Sequence, residues 1–172
     1  LKRIGVVGAG SWGTALANLL AIKGYIIDLW AYEAEVKQDI LEHRENKLFL
    51  PGTTLSDRIV PSNDLEAVVK NNDVILIVVP SHTMRSVAEQ MAPHVSLDTI
   101  VITASKGIED GTYLTMFGVL EQSLPALDSD NLVVLSGPSF AKEVADKVPT
   151  AISIASKNIE VATLVQHIFA TD

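Results

Sequence analysis

Near the N-terminus, Gly8-Ala9-Gly10-Ser11-Trp12-Gly13 sets glycine at the first, third and sixth places between a β-branched run and an apolar helical pattern. That spacing suits one chemical task, the holding of a diphosphate. Gly8 permits a tight turn, Gly10 lets the main chain approach the pyrophosphate, and Gly13 lets the helix pack against the strand. A helix opening at Ser11 would aim unpaired N–H groups and a positive dipole end at the anion. Glu33 follows the next strand, in Leu29-Trp30-Ala31-Tyr32-Glu33, about twenty residues beyond Gly13, as the dinucleotide fingerprint requires. A carboxylate there accepts ribose hydroxyl protons of the adenosine half and repels a 2′-phosphate, which favours NAD and leaves NADP the less favoured cofactor. The same acid also suits a helix N-terminus, so position alone leaves both roles open. Tyr32 either lines the adenine site or packs, and Asp28, inside the strand, is the weaker ribose partner.

Three further segments fall where a ligand could meet them. Lys106 follows a strand at its carboxyl end, the edge where open α/β sheets bind ligands, and Gly107 beside it would leave room. A cation there suits a phosphate or a developing alkoxide, the alternative being a solvated surface lysine. Ser136-Gly137-Pro138-Ser139 ends a strand and opens a helix, with Ser139 at or near the N-cap, where capping and anion contact are compatible. Val78-Val79-Pro80-Ser81 ends another strand; Pro80 would fix a turn beside the ribose-nicotinamide half, and Ser81 could cap a helix starting at His82.

Such residues need a frame, and the hydrophobic pattern supplies one. Short Val/Ile/Leu runs predict strands at Arg3–Val7, Ile26–Ala31, Asp73–Val79, Thr99–Ala104, Leu132–Leu135 and Ala151–Ala155, with a weaker one at Arg58–Pro61. Helical spacing falls between them, at Ser11–Lys23, Glu33–Arg44, Leu65–Lys70, His82–Met91, Tyr113–Ser123, Phe140–Ala145 and Ile159–Phe169. Alternation of this kind predicts an α/β fold, Rossmann-type and doubly wound, with a mostly parallel sheet and helices on both faces. Asn46 to Asp57 breaks the pattern with Leu48-Phe49-Leu50-Pro51-Gly52, an apolar loop that must cover something.

With 172 residues and 48% hydrophobic content, residues 1–172 read as one domain. A net charge of −8, scattered Lys and Arg and 5% aromatics argue against nucleic acid as a partner. The absence of cysteine excludes disulfides and thiolate sites and fits a cytoplasmic protein. Ile4 to Val7 is too short for a signal core or a membrane span. His43, His82, His94 and His167 lack ligand spacing, so no metal is expected, and no Gly-x-Ser-x-Gly elbow supports hydrolase chemistry.

Four segments together resemble the N-terminal domain of bacterial NAD(P)-dependent glycerol-3-phosphate dehydrogenase. They are Gly8-Ala9-Gly10-Ser11-Trp12-Gly13-Thr14-Ala15-Leu16-Ala17, Asn46-Lys47-Leu48-Phe49-Leu50-Pro51-Gly52, Ser105-Lys106-Gly107-Ile108-Glu109 and Ser136-Gly137-Pro138-Ser139-Phe140-Ala141. The resemblance implies reversible reduction of dihydroxyacetone phosphate to sn-glycerol 3-phosphate, the backbone precursor of phospholipids. It places Ser11 and Trp12 beside the cofactor phosphates, Phe49 and Ala141 at the cofactor, Lys106 at both cofactor and substrate, and Gly137 and Ser139 at the substrate. Two positions depart from the family: Tyr32-Glu33 stands where a basic residue is frequent, which argues against strong NADP use, and Phe49 replaces the usual Tyr. In this family the proton-handling lysine and the Arg-Asn pair that grips the substrate phosphate lie in a helical C-terminal domain. The expectation is therefore a fragment of a larger, homodimeric enzyme, with no catalytic acid-base residue of its own, that binds cofactor and does not turn over. The alternatives from other classes are a non-catalytic NAD-binding or sensing module and another hydroxyacid or 6-phosphogluconate dehydrogenase.

Overall fold

The computed structural model describes residues 3–171 and contains seven strands and seven α-helices in the alternating order that the pattern predicts. The strands are β1 (Arg3–Val7), β2 (Ile26–Trp30), β3 (Ile59–Ser62), β4 (Val74–Ile77), β5 (Ile100–Thr103), β6 (Leu132–Ser136) and β7 (Ser153–Ser156). The helices are α1 (Ser11–Ile22), α2 (Ala34–His43), α3 (Leu65–Lys70), α4 (Met84–Met91), α5 (Met116–Ser123), α6 (Ala141–Ala145) and α7 (Ile159–Phe169). One sheet orders the strands β3-β2-β1-β4-β5-β6-β7, parallel except for β7, which pairs antiparallel to β6. The chain winds outward from β1 in one direction through β3 and then returns to β4 on the other side. That reversal opens a crevice at the carboxyl ends of β1 and β4, the place where doubly wound sheets bind ligands.

Strand periodicity explains why the sheet must be covered twice. Val6 and Leu76 point into a core shared with α1, α2 and α7, whereas Val7, Ile75 and Ile77 point into a second core built with α3, α4 and α5. All four residues of β4 are buried, as a central parallel strand requires. Burying each such aliphatic side chain contributes about 1.5–3 kcal/mol.

β1, α3 and α7 keep their predicted limits, and the other elements differ at their ends for local reasons. Glu33 and Arg44 are the caps of α2 rather than members of it, Arg44 lying in the left-handed region with φ 53°. The predicted strand over Asp73–Val79 shortens to β4 because the chain turns out of the sheet into Pro80, which has no N–H to donate. A 3₁₀ turn at Ser81–Thr83 precedes α4. Helix α5 starts at Met116 instead of Tyr113: Tyr113 has φ 58°, and Thr115 caps the helix by accepting from the N–H of Gly118. Short 3₁₀ turns at Ala92–His94 and Ser129–Asn131 carry no sequence signal strong enough to predict them.

Candidate dinucleotide-binding site

A cleft of about 270 Å³ lies over the carboxyl ends of β1, β4 and β5. Gly10, Ser11, Trp12 and Gly13 line one wall, Val78, Val79 and Pro80 the floor, and Ala104, Ser105 and Lys106 the other wall. A second cavity, of about 120 Å³ between Ala92 and Leu127, sits at the amino ends of the strands and holds none of the predicted site residues.

The three glycines of the turn have different causes. A Cβ on Gly8 would stand 2.2 Å from the Val78 carbonyl oxygen, and one on Gly13 would stand 1.9 Å from that of Gly8, so both positions are closed by the protein's own backbone. Gly10 is the opposite case. Its φ of −65° and ψ of −179° suit any residue, and no atom lies within 4 Å of where its Cβ would be. Among the described residues nothing requires glycine at this position, which leaves the space open to a group that approaches from outside. Gly10 is also the N-cap of α1, with no side-chain cap and no acidic residue in the first turn. The free N–H groups of that turn thus face the cleft with the positive end of the helix dipole. These features fit a pyrophosphate. Trp12, in the same wall, has a buried indole N–H without a partner.

The loop that was expected to cover something is tied to this turn by Asn46, to which sequence reasoning assigned no role of its own. Asn46 is fully buried; its Nδ2 donates to the Ala9 carbonyl and to Thr14 Oγ1, both at 2.8 Å, and its Oδ1 accepts from the Phe49 N–H at 3.1 Å. Farther along, Asn18 of α1 accepts from the Ser56 N–H at 2.9 Å. The loop therefore straps α1, with Leu50 and Leu55 buried and Phe49 packed on the first core.

On the adenosine side, Glu33 is the N-cap of α2, yet its side chain makes no capping bond, and its carboxylate has no partner among the described residues. Tyr32 is 81% exposed and meets Trp30 edge-on at 6.2 Å. Asp28 is committed elsewhere: Arg3 donates to both of its carboxylate oxygens at 2.6 Å, and Asn72 donates to one of them at 2.9 Å.

Across the cleft, Lys106 Nζ donates to Ser136 Oγ at 3.0 Å, joining the ends of β5 and β6. Gly107 does not leave room for a ligand as expected. With φ 119°, it makes space for Ser81, whose Cβ would lie 2.9 Å from a Gly107 Cβ. Ser81 caps nothing, since the 3₁₀ turn and α4 both start without a side-chain cap. Ser139 is likewise not the cap of α6; Phe140 holds that position, and Ser139 Oγ is buried with no partner. Gly137, at φ 155°, is required by the chain that follows, a Cβ there falling 2.5 Å from the Ala151 carbonyl oxygen. Helix α6, which begins at Ala141, packs against α1. Of the predicted residues, Gly10, Ser11, Trp12, Gly13, Pro80 and Lys106 line the cleft, while Gly8, Tyr32, Glu33, Phe49, Gly137, Ser139 and Ala141 lie outside its immediate lining.

Behind Lys106, Arg85 of α4 grips Glu109 with two bonds of 2.8 and 2.7 Å, and Thr112 Oγ1 donates to the same carboxylate at 2.5 Å. These donors, Arg85 foremost, hold the Glu109 carboxyl at about 2 against an ordinary 4.5. A depressed carboxylate pKa stabilises the fold above the unfolded value, and that contribution is lost as pH falls through the folded one. The Glu109→Gln variant is thus expected to be less stable than the parent at pH 7, with the difference in urea midpoint shrinking between pH 4.5 and 2. A constant difference across that window would show that the ion pair is not its source.

Sheet order, an uncapped helix behind a glycine turn and a free acid after β2 define a dinucleotide-binding domain of the Rossmann class. The profile of the family described as NAD-dependent glycerol-3-phosphate dehydrogenase N-terminus matches residues 3–162, and the chain belongs to that family. It is 51% identical over 168 residues to the glycerol-3-phosphate dehydrogenase [NAD(P)+] of Syntrophobacter fumaroxidans, a match covering 98% of this chain and 49% of that one. The Geobacter metallireducens protein of the same name is 48% identical, with 98% and 50% covered. The crystal structure of glycerol-3-phosphate dehydrogenase from Coxiella burnetii superposes with a TM-score of 0.91 at 34% identity, over 99% of this chain and 51% of that one. The chain thus spans about half the length of the relatives it matches. Among the described residues no helix is long and apolar enough to cross a membrane, and no group of metal-ligating side chains is gathered.

Proposed function

We propose that this chain is the cofactor-binding half of an oxidoreductase that interconverts dihydroxyacetone phosphate and sn-glycerol 3-phosphate with NAD(P)H, in the cytoplasm and as part of a homodimer, supplying glycerol phosphate for phospholipid synthesis. The observation that carries the reading is the unfilled space at Gly10, at the head of an uncapped helix. Gly8, Gly10, Ser11, Trp12 and Gly13 hold the pyrophosphate; Tyr32 and Glu33 meet the adenosine half; Phe49 and Ala141 flank the cofactor. Pro80 shapes the nicotinamide end, where the bound cofactor supplies hydride transfer. Lys106, Gly137 and Ser139 face the phosphate-bearing substrate. A cation paired across to Ser136 in the same cleft supports an enzyme over a nucleotide sensor, which has no use for it.

Fluorescence titration of the chain with NADH tests this directly. Saturable binding in the micromolar-to-millimolar range is expected, and its absence would overturn the proposal. Because the Glu33 carboxylate is free to accept the 2′-hydroxyl, NADH is expected to bind at least about tenfold more tightly than NADPH, roughly 1.4 kcal/mol. Glu33→Arg should narrow or reverse the gap, since a guanidinium holds a 2′-phosphate. Equal affinities in the parent chain would remove Glu33 from the site.

A further inference from the structure

Among the described residues Glu33 has no side-chain partner that fixes its direction, so the main chain aims its carboxylate. That main chain is braced from the neighbouring strand. Asn63, the first residue after β3, donates from Nδ2 to the Ala31 carbonyl at 2.7 Å and reaches the Glu33 carbonyl at 3.4 Å. Its own carbonyl accepts from the Trp30 indole N–H at 3.2 Å, and the Ala31 N–H donates to the adjoining Ser62 carbonyl at 2.8 Å. One residue thus touches Trp30, Ala31 and Glu33, bracketing the turn that carries Tyr32. Only a group with two N–H donors on a short stem can serve two carbonyl oxygens in this way. An aspartate would set oxygen against oxygen, a serine could donate to one carbonyl at most, and an alanine would leave both to water.

We propose that Asn63 is a positioning residue for cofactor discrimination: by bracing the Ala31–Glu33 turn it holds the Glu33 carboxylate where it accepts the adenosine 2′-hydroxyl. The inference rests on the assignment of Glu33 to the ribose. Freeing the turn costs the hydroxyl bond of NADH, which needs direction, more than it relieves repulsion of a 2′-phosphate, which depends weakly on direction. A loss of general structural integrity would instead weaken both cofactors alike. Asn63 is exposed, so its removal should leave the core intact.

The test is a double-variant cycle in which the parent chain, Asn63→Ala, Glu33→Gln and the combination are each titrated with NADH and NADPH. Asn63→Ala should raise the Kd for NADH by about three- to tenfold while leaving NADPH within about twofold. In the Glu33→Gln background the same change should do nothing further to the ratio. Asn63→Leu, branched at the same carbon but without donors, should repeat the result, with thermal melting confirming the fold of each variant. Equal weakening of both cofactors, or an unchanged ratio in Asn63→Ala while Glu33→Gln alone shifts it, overturns the positioning role and leaves Glu33 in place. An unchanged ratio in Glu33→Gln itself removes Glu33 from the ribose, and the role of Asn63 falls with it.

Discussion

In the Gly10→Val variant, NADH titration is expected to show binding weakened by at least about a hundredfold, or roughly 2.7 kcal/mol, with melting within about 5 °C of the parent. The two halves of this result follow from one observation. A Cβ at residue 10 would meet none of the described atoms within 4 Å, and its backbone already has dihedral angles that valine adopts freely, so folding should meet little resistance. The same side chain projects over the free N–H groups of α1, into the space through which a pyrophosphate must pass to reach them. Gly13→Ala supplies the contrast. Its Cβ would press to 1.9 Å from the Gly8 carbonyl oxygen, so that variant should lose stability together with binding. An unchanged NADH titration in Gly10→Val would sink the assignment of the turn to the cofactor. A variant that failed to fold would show that the space is filled by the protein in solution.

Why the places of residues 10, 33 and 106 in the fold are readable from sequence and others are not is a matter of where their partners lie. Gly10 and Glu33 are fixed by spacing within one strand-helix-strand unit, and Lys106 by following a predicted strand. Each of those signals is local. Asn46 acts on Ala9 from 37 positions away, Arg85 on Glu109 from 24, and Asn63 on Ala31 from 32, so their meaning exists only once the sheet order is set. Local rules also fail where two compatible roles compete. A serine before a helix reads as a cap, yet Ser139 stands one residue too early and Phe140 takes the position. Tyr113 fits an apolar helical spacing, but Gly111 and Tyr113 both adopt positive φ and close a turn that Thr115 ends. The antiparallel direction of β7 is invisible for a different reason: β7 is an edge strand alternating exposed and half-buried residues, and hydrophobicity alone does not encode direction.

Cofactor binding and turnover should separate in this chain. Among the described residues, Lys106 is the single ionisable side chain lining the cleft. Reduction of a phosphorylated ketone by hydride demands two things of the protein, a grip on the phosphate and a proton for the developing alkoxide, and one ammonium cannot do both at once. The relatives it matches are about twice as long, and the other group is proposed to come from the half that this chain does not span. The chain by itself should therefore bind NADH and oxidise none of it at saturating dihydroxyacetone phosphate. The protein extended through that second half should be active, and Lys106→Ala within it should lower kcat/KM by about 10²–10⁴-fold, as loss of a positioned charge or proton group does. Its stability should barely change, because Lys106 is exposed and its hydrogen bond to Ser136 joins two exposed residues. If the present chain alone oxidised NADH at an ordinary enzymatic rate of about 1–10³ s⁻¹, a second catalytic group would have to lie within residues 1–172, and Ser139, whose buried hydroxyl has no partner, would be the first residue to replace.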